Sequence, residues 1–154
     1  MFKEIYRASK GVPELVVMNS GVVDLTVIGD QPDGVLNICQ VGKQVSFPIL
    51  RFFVTNEIHR PEALRGKHAH KELEQVIFCV SGSFELMFDD GENQQVIIMD
   101  TVRRGIRLGP KLWHEMTNFS DGCIMLVVAS DEYKESDYIR NYDEFLEYIK
   151  TRSV

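Results

Sequence analysis

What most constrains the fold of this chain is a succession of short apolar runs, each closed by turn chemistry. Val22 to Ile28 (V-V-D-L-T-V-I) is rich in β-branched residues and ends at Gly29-Asp-Gln-Pro-Asp-Gly34. Ser83 to Phe88 and Gln94 to Met99 flank Asp89-Asp90-Gly91, the Asp-Gly signal of a hairpin. Cys123 to Ala129 is the most apolar run of all. Runs of this length and composition read as β-strands. So do Val35 to Val41, Phe47 to Val54, Glu74 to Ser81, Gly105 to Pro110 and Trp113 to Asn118, with a shorter candidate at Glu14 to Met18. Thr55 to Leu64 reads as a loop, and Lys10-Gly-Val-Pro13 breaks any earlier element. Glu135 to Arg152 differs: Tyr138, Ile139, Tyr142, Phe145, Leu146 and Ile149 recur at helical spacing among charges, with Ser136 or Asp137, and Asn141 or Asp143, as candidate N-caps. Many strands and one terminal helix predict an all-β sandwich or barrel. The expected organisation is one domain over 1–154: an N-terminal extension (1–25), a β core (47–130) and a C-terminal helix (135–152).

Composition removes several function classes. The formal net charge of -6 argues against a nucleic-acid binder, which needs a basic face. No apolar run approaches the length that crosses a bilayer, and no signal-peptide h-region is visible, so the expectation is a cytoplasmic protein. Cys39, Cys79 and Cys123 lie far apart without C-x-x-C spacing, which reads as reduced thiols.

Chemistry concentrates in R-G-K-H-A-H-K-E-L-E, Arg65 to Glu74. Side chains alternate along a strand, so His68 and His70 stand on one face. A third histidine, His114, follows Trp113 in P-K-L-W-H. Such imidazoles can bind a metal, move protons or pack. A metal site would draw on both histidines, Glu74 and His114. If Gln75 rather than Glu74 faces inward, that set lacks its carboxylate.

Gly66, His68, His70, Glu74 and Gly82 resemble the first cupin motif, and Gly105, Pro110, His114 and Asn118 fit the second loosely. More narrowly, Arg65 to Val76, Asp89 to Gly91, Gly109 to Met116 and Ala129 to Phe145 resemble the dTDP-sugar 3,4-ketoisomerases, the WxcM-like cupins. The resemblance spans Phe47 to Lys150. It implies a cupin double-stranded β-helix, or jelly roll, with the pocket inside the barrel. It implies isomerisation of dTDP-4-keto-6-deoxy-glucose to the 3-keto sugar, upstream of an aminotransferase in deoxyamino-sugar, O-antigen or S-layer glycan synthesis. No metal and no other cofactor is implied. The partner implied is a second copy of the chain, with N-terminal strands exchanged.

On this resemblance, His68 is the carbon base and His70 its proton-moving partner. Arg51 and Arg65 are the candidates for the diphosphate, since guanidinium forks suit phosphate oxygens. Gln75, Trp113 and His114 complete the expected substrate wall, although an aromatic such as Trp113 is more often a core or rim residue. Two departures stand out. The family carries tyrosines after the arginine matching Arg51, whereas this chain reads Phe52-Phe53-Val54, and the arginine of the family's D-x-R-G-x-L is missing between Asp30 and Leu36. These departures keep two other readings open: a nucleotide-sugar-binding cupin without turnover, and a metal-dependent cupin enzyme.

Overall fold

The structure, a computed structural model, describes residues 6–152. Thirteen strands run in chain order among these residues: β1 (Tyr6–Arg7), β2 (Ser20–Asp24), β3 (Thr26–Asp30), β4 (Gly34–Ile38), β5 (Arg51–Ile58), β6 (Arg65–His70), β7 (Gln75–Ser81), β8 (Phe84–Asp89), β9 (Gln94–Met99), β10 (Arg104–Leu108), β11 (Trp113–Thr117), β12 (Cys123–Ala129) and β13 (Tyr138–Ile139). A short 3₁₀ turn (Glu135–Asp137) precedes β13, and one helix, α1 (Tyr142–Thr151), follows it. A six-stranded sheet has the order β1-β9-β8-β11-β6-β13, and a five-stranded sheet the order β2-β10-β7-β12-β5. The β3–β4 hairpin pairs only with itself. Two sheets facing across a core form the jelly roll expected of a cupin. Among the described residues no helix is long and apolar enough to cross a membrane.

Alternation along the strands divides the molecule into layers. Ile77 and Cys79 of β7 join Phe84, Leu86, Ile97, Ile106, Met125 and Val127 in the core between the sheets. Val76 and Phe78, on the other face of β7, pack under the 39–49 segment with Val45, Phe47 and Val128. Both faces of β7 are covered, which is why Val76 to Cys79 is uninterruptedly apolar. On the outer face of the six-stranded sheet, Ala69 and Trp113 meet Ile139 and Phe145 beneath α1. The β8–β9 turn is held by Asp89 Oδ1, which accepts from Gly91 N at 2.6 Å, and by Asp90 Oδ1, which accepts from Glu92 N and Asn93 N at 2.9 and 2.7 Å.

Several expected boundaries are corrected. Residues 6–24 are no appendage: β1 lies parallel to β9, β2 pairs with β10, and Ala8, Val17 and Val23 are buried. Edge strands need neighbours more than sequence regularity, and here the N-terminal segment supplies them. Val22 to Ile28 is not one strand, because the chain leaves β2 at Leu25 and enters the β3–β4 hairpin. Glu14 to Met18 is not a strand, and β5 runs on to Ile58 where a loop is expected. The helix is shorter than 135–152. Asn141 caps it, its side chain accepting from Glu144 N, so Glu135 to Arg140 lies outside.

Candidate active site

A cavity of about 350 Å³ opens between the sheets, lined by His68, His70, Gln75, His114, Tyr138 and Arg51 among others. Strand register builds it. In β6–β11 pairing His68 stands opposite His114, and in β6–β13 pairing His70 stands opposite Tyr138. Directly opposed residues share a face, so three strands present all four rings to one space. The His68 ring centroid lies 4.9 Å from that of His70 and 4.6 Å from that of His114. Tyr138 lies 4.8 and 4.5 Å from the His68 and His70 centroids.

A β-bulge sharpens the arrangement. His114 pairs with His68 and Glu115 with Gly66, so Lys67 is the extra residue. Gly66 and Lys67 both adopt positive φ, 77° and 59°. Strict alternation would send Arg65 and His68 to opposite faces, yet both line the cavity. The bulge also aims the Gly66 carbonyl at His68, whose Nδ1 lies 3.0 Å away.

Each imidazole has a distinct partner. His68 Nδ1–H donates to Gly66 O, leaving Nε2 bare. Burial, then His70 nearby, pulls the His68 pKa down to about 4. His70 Nδ1 lies 2.9 Å from Asp137 Oδ2. Burial also lowers the His70 pKa, and Asp137 opposes that shift. His114, 2% exposed, has Nδ1 3.3 Å from Leu112 O and Nε2 3.1 Å from the Gln75 amide nitrogen. The Gln75 amide therefore donates to a bare Nε2, and burial holds His114 neutral, well below its ordinary pKa. All three rings are neutral near pH 7, and His68 and His70 keep Nε2 free of protein partners among the described residues.

The donor set bears on the metal reading. Ligand nitrogens of His68, His70 and His114 lie within 4.8 Å of one another. An ion using all three would break the Gln75–His114 bond. Glu74, the carboxylate such a site needs, instead accepts from Arg107 Nη1 at 2.7 Å, while Gln75 takes the inward position at 3% exposure. Alternation at the start of β7 decides this, because only one of two neighbours can face in. These residues fit proton transfer better than a metal centre.

The remaining expected site residues divide. Arg51, Arg65, Gln75 and His114 all line the cavity. The Arg51 guanidinium sits 5.6 Å from the Phe53 ring and 5.9 Å from that of Tyr133, and its buried Nε has no hydrogen-bond partner among the described residues. Trp113 is a correction. It precedes the inward His114, so it points outward, where it packs on Phe145 and Tyr142 and donates from Nε1 to Glu115 Oε1 at 2.9 Å. Sequence periodicity also hid residues. Tyr138 is a pocket residue rather than helix packing, and Arg140 lies 4.3 Å over its ring while pairing Glu135 at 2.6 and 2.9 Å. The choice of cap decides this: a helix capped at Ser136 or Asp137 would include Tyr138 and Arg140, whereas the observed Asn141 cap excludes Glu135 to Arg140.

The chain resembles known proteins in sequence and in fold. The family described as FdtA, WxcM-like, C-terminal matches residues 18–150. A TDP-4-oxo-6-deoxy-alpha-D-glucose-3,4-oxoisomerase from Aneurinibacillus thermoaerophilus is 42% identical over 132 residues, covering 86% of this chain and 94% of that protein. A 3,4-ketoisomerase from Helicobacter canadensis superimposes with a TM-score of 0.82 at 39% identity, over 86% of this chain and 98% of that one. A His→Asn variant of the 3,4-ketoisomerase QdtA from Thermoanaerobacterium thermosaccharolyticum, in complex with TDP-4-keto-6-deoxyglucose, superimposes with a TM-score of 0.84 at 31% identity, over 89% of this chain and 98% of that one.

Proposed function

The chain belongs to the FdtA, WxcM-like family, and from that premise we propose that its histidine pair carries out the proton transfers of a nucleotide-sugar 3,4-ketoisomerase acting on dTDP-4-keto-6-deoxy-glucose. It is an isomerase whose substrate is a dTDP-linked sugar. The observation that carries the mechanism is the pair of neutral imidazoles, 4.9 Å apart, each with Nδ1 tied back and Nε2 bare.

The chemistry follows from the carbonyl. The C3 hydrogen is acidic because it lies α to the C4 ketone. His68 Nε2 takes it, and negative charge spreads onto O4. His70 Nε2 takes the O3 proton and delivers it to O4. The enediolate then collapses to a C3 ketone as His68 returns its proton to C4. Each histidine carries one proton and ends unchanged, so atoms and charge balance. Arg51 and Arg65 hold the diphosphate, and Gln75 fixes the orientation of His114, which burial keeps neutral beside the pair. The product is a dTDP-3-keto-6-deoxy-hexose, the form that amination at C3 requires, in cytoplasmic synthesis of a deoxyamino sugar for a surface glycan.

A homodimer completes the reading. The β3–β4 hairpin exposes Val27, Ile28 and Leu36, and the edge strand β5 exposes Phe52, Phe53 and Val54. An isolated hairpin and an apolar sheet edge both call for a partner, and the same elements of a second copy supply it, consistent with exchange of N-terminal strands.

The direct test couples the protein to a sugar 3-aminotransferase with dTDP-4-keto-6-deoxy-glucose as substrate. Wild type should yield the 3-amino product, and His68→Asn should cut turnover by about 100-fold or more. Tight dTDP binding without product would make the protein a binding module instead.

A further inference from the structure

We infer that Asp137 is a positioning residue for the reaction, holding His70 in the one tautomer that can pass a proton between the two sugar oxygens. This rests on the ketoisomerase reading above and deepens it. The carboxylate of Asp137 is committed on both sides. Oδ2 accepts from His70 Nδ1 at 2.9 Å, and Oδ1 accepts from Glu72 N at 2.8 Å. Its backbone is pinned as well, because Lys71 N donates to Asp137 O at 2.9 Å. The next residue, Tyr138, pairs with His70 in the β13–β6 register. One short segment thus grips the end of β6 and the turn after it, at residues 70, 71 and 72, with Asp137 behind the imidazole and Tyr138 beside it.

Chemistry distinguishes this grip from ordinary packing. Nδ1 bonded to a carboxylate must carry the hydrogen, so Nε2 is left with a lone pair facing the cavity. When Nε2 takes the O3 proton, the ring, only 4% exposed, becomes a buried cation. The fixed carboxylate stabilises that cation without reorganising. His68 has no such support, since its Nδ1 meets only the neutral Gly66 carbonyl. The pair is therefore unequal. His70 is built to hold a proton from a hydroxyl, while His68 holds one only in passing.

The test is Asp137→Asn, which keeps the shape and removes the charge. In heavy water, wild type should form the 3-keto product and wash deuterium into C3 of recovered dTDP-4-keto-6-deoxy-glucose. The variant should lose product formation by about 100-fold or more, keep C3 exchange within several-fold, and keep dTDP affinity within about threefold. Asp137→Glu should recover part of the turnover. Product formation within threefold of wild type would overturn the inference, and so would parallel loss of exchange and turnover, which would make Asp137 a general support of the pocket. Should the asparagine variant not fold, histidine nitrogen resonances of wild type decide. The inference requires a bare Nε2 on His70, and an Nε2–H tautomer would refute it. If wild type itself makes no product, the ketoisomerase reading fails, whereas the tautomer result stands separately.

Discussion

At the scale of single residues, the proposed active site is a set of histidines made different by what lies behind them. His68 leans on a carbonyl, His70 on a carboxylate and His114 on an amide. Burial disfavours the charged form of each. A base must be neutral to act, so activity is lost as pH falls through the folded-state pKa. For His68 that lies near 4, and for His70 below the ordinary 6.5. The pH profile of kcat/KM should therefore be flat from about 7 to 8 and fall on an acid limb centred below 6.5. A limb centred at or above 6.5 would mean that the histidines act in a wetter setting. Stability follows the same sign. The unfolded chain takes up protons below 6.5 while the folded one resists, so unfolding free energy should fall as pH drops from 6.5 towards 4.

At the scale of elements, the bulge in β6 is what lets Arg65 and His68 serve one cavity. Gly66 sits at φ 77°, and a Cβ there would lie 2.8 Å from His114 O. Gly66→Ala should destabilise the protein by about 2 kcal/mol from backbone strain alone. It should also lower kcat, since the Gly66 carbonyl orients His68. Gly122 is the control: its φ is 68°, but a Cβ there would meet nothing within 4 Å. Gly122→Ala should show a similar or smaller loss in denaturant unfolding with kcat unchanged. Equal effects of both substitutions on kcat would remove the bulge from the mechanism.

At the scale of the whole molecule, cover over β5 and the β3–β4 hairpin is what a second copy would add. β5 edges its sheet and lines the cavity with Arg51, Phe53 and Thr55. Phe52 is 68% exposed on that edge. Light scattering should give a mass near twice the 17.7 kDa of the chain. Phe52→Glu should shift it towards monomer and raise KM, because a partner over β5 would also cover the cavity that β5 lines. A wild-type monomer at micromolar concentration would count against the dimer.

Much of this was legible in the chain itself. Short apolar runs with Asp-Gly and Gly-Pro turns determine a two-sheet β fold, because alternation and turn chemistry are local. The i, i+2 spacing of His68 and His70 determines that they share a face for the same reason. Spacing could not decide whether Glu74 or Gln75 faces inward, since that depends on where β7 starts relative to β12 and β10. Nor could it place Arg65 beside His68, which needs a bulge set by β11. Asp137, Tyr138 and Arg140 lie in a segment whose helical periodicity is a coincidence. Only the antiparallel docking of β13 against β6 carries them to the histidines, and that contact joins residues some 67 positions apart. Local physics built the strands and paired the imidazoles. Long-range register chose their partners, and with them the division of the chemistry proposed for them.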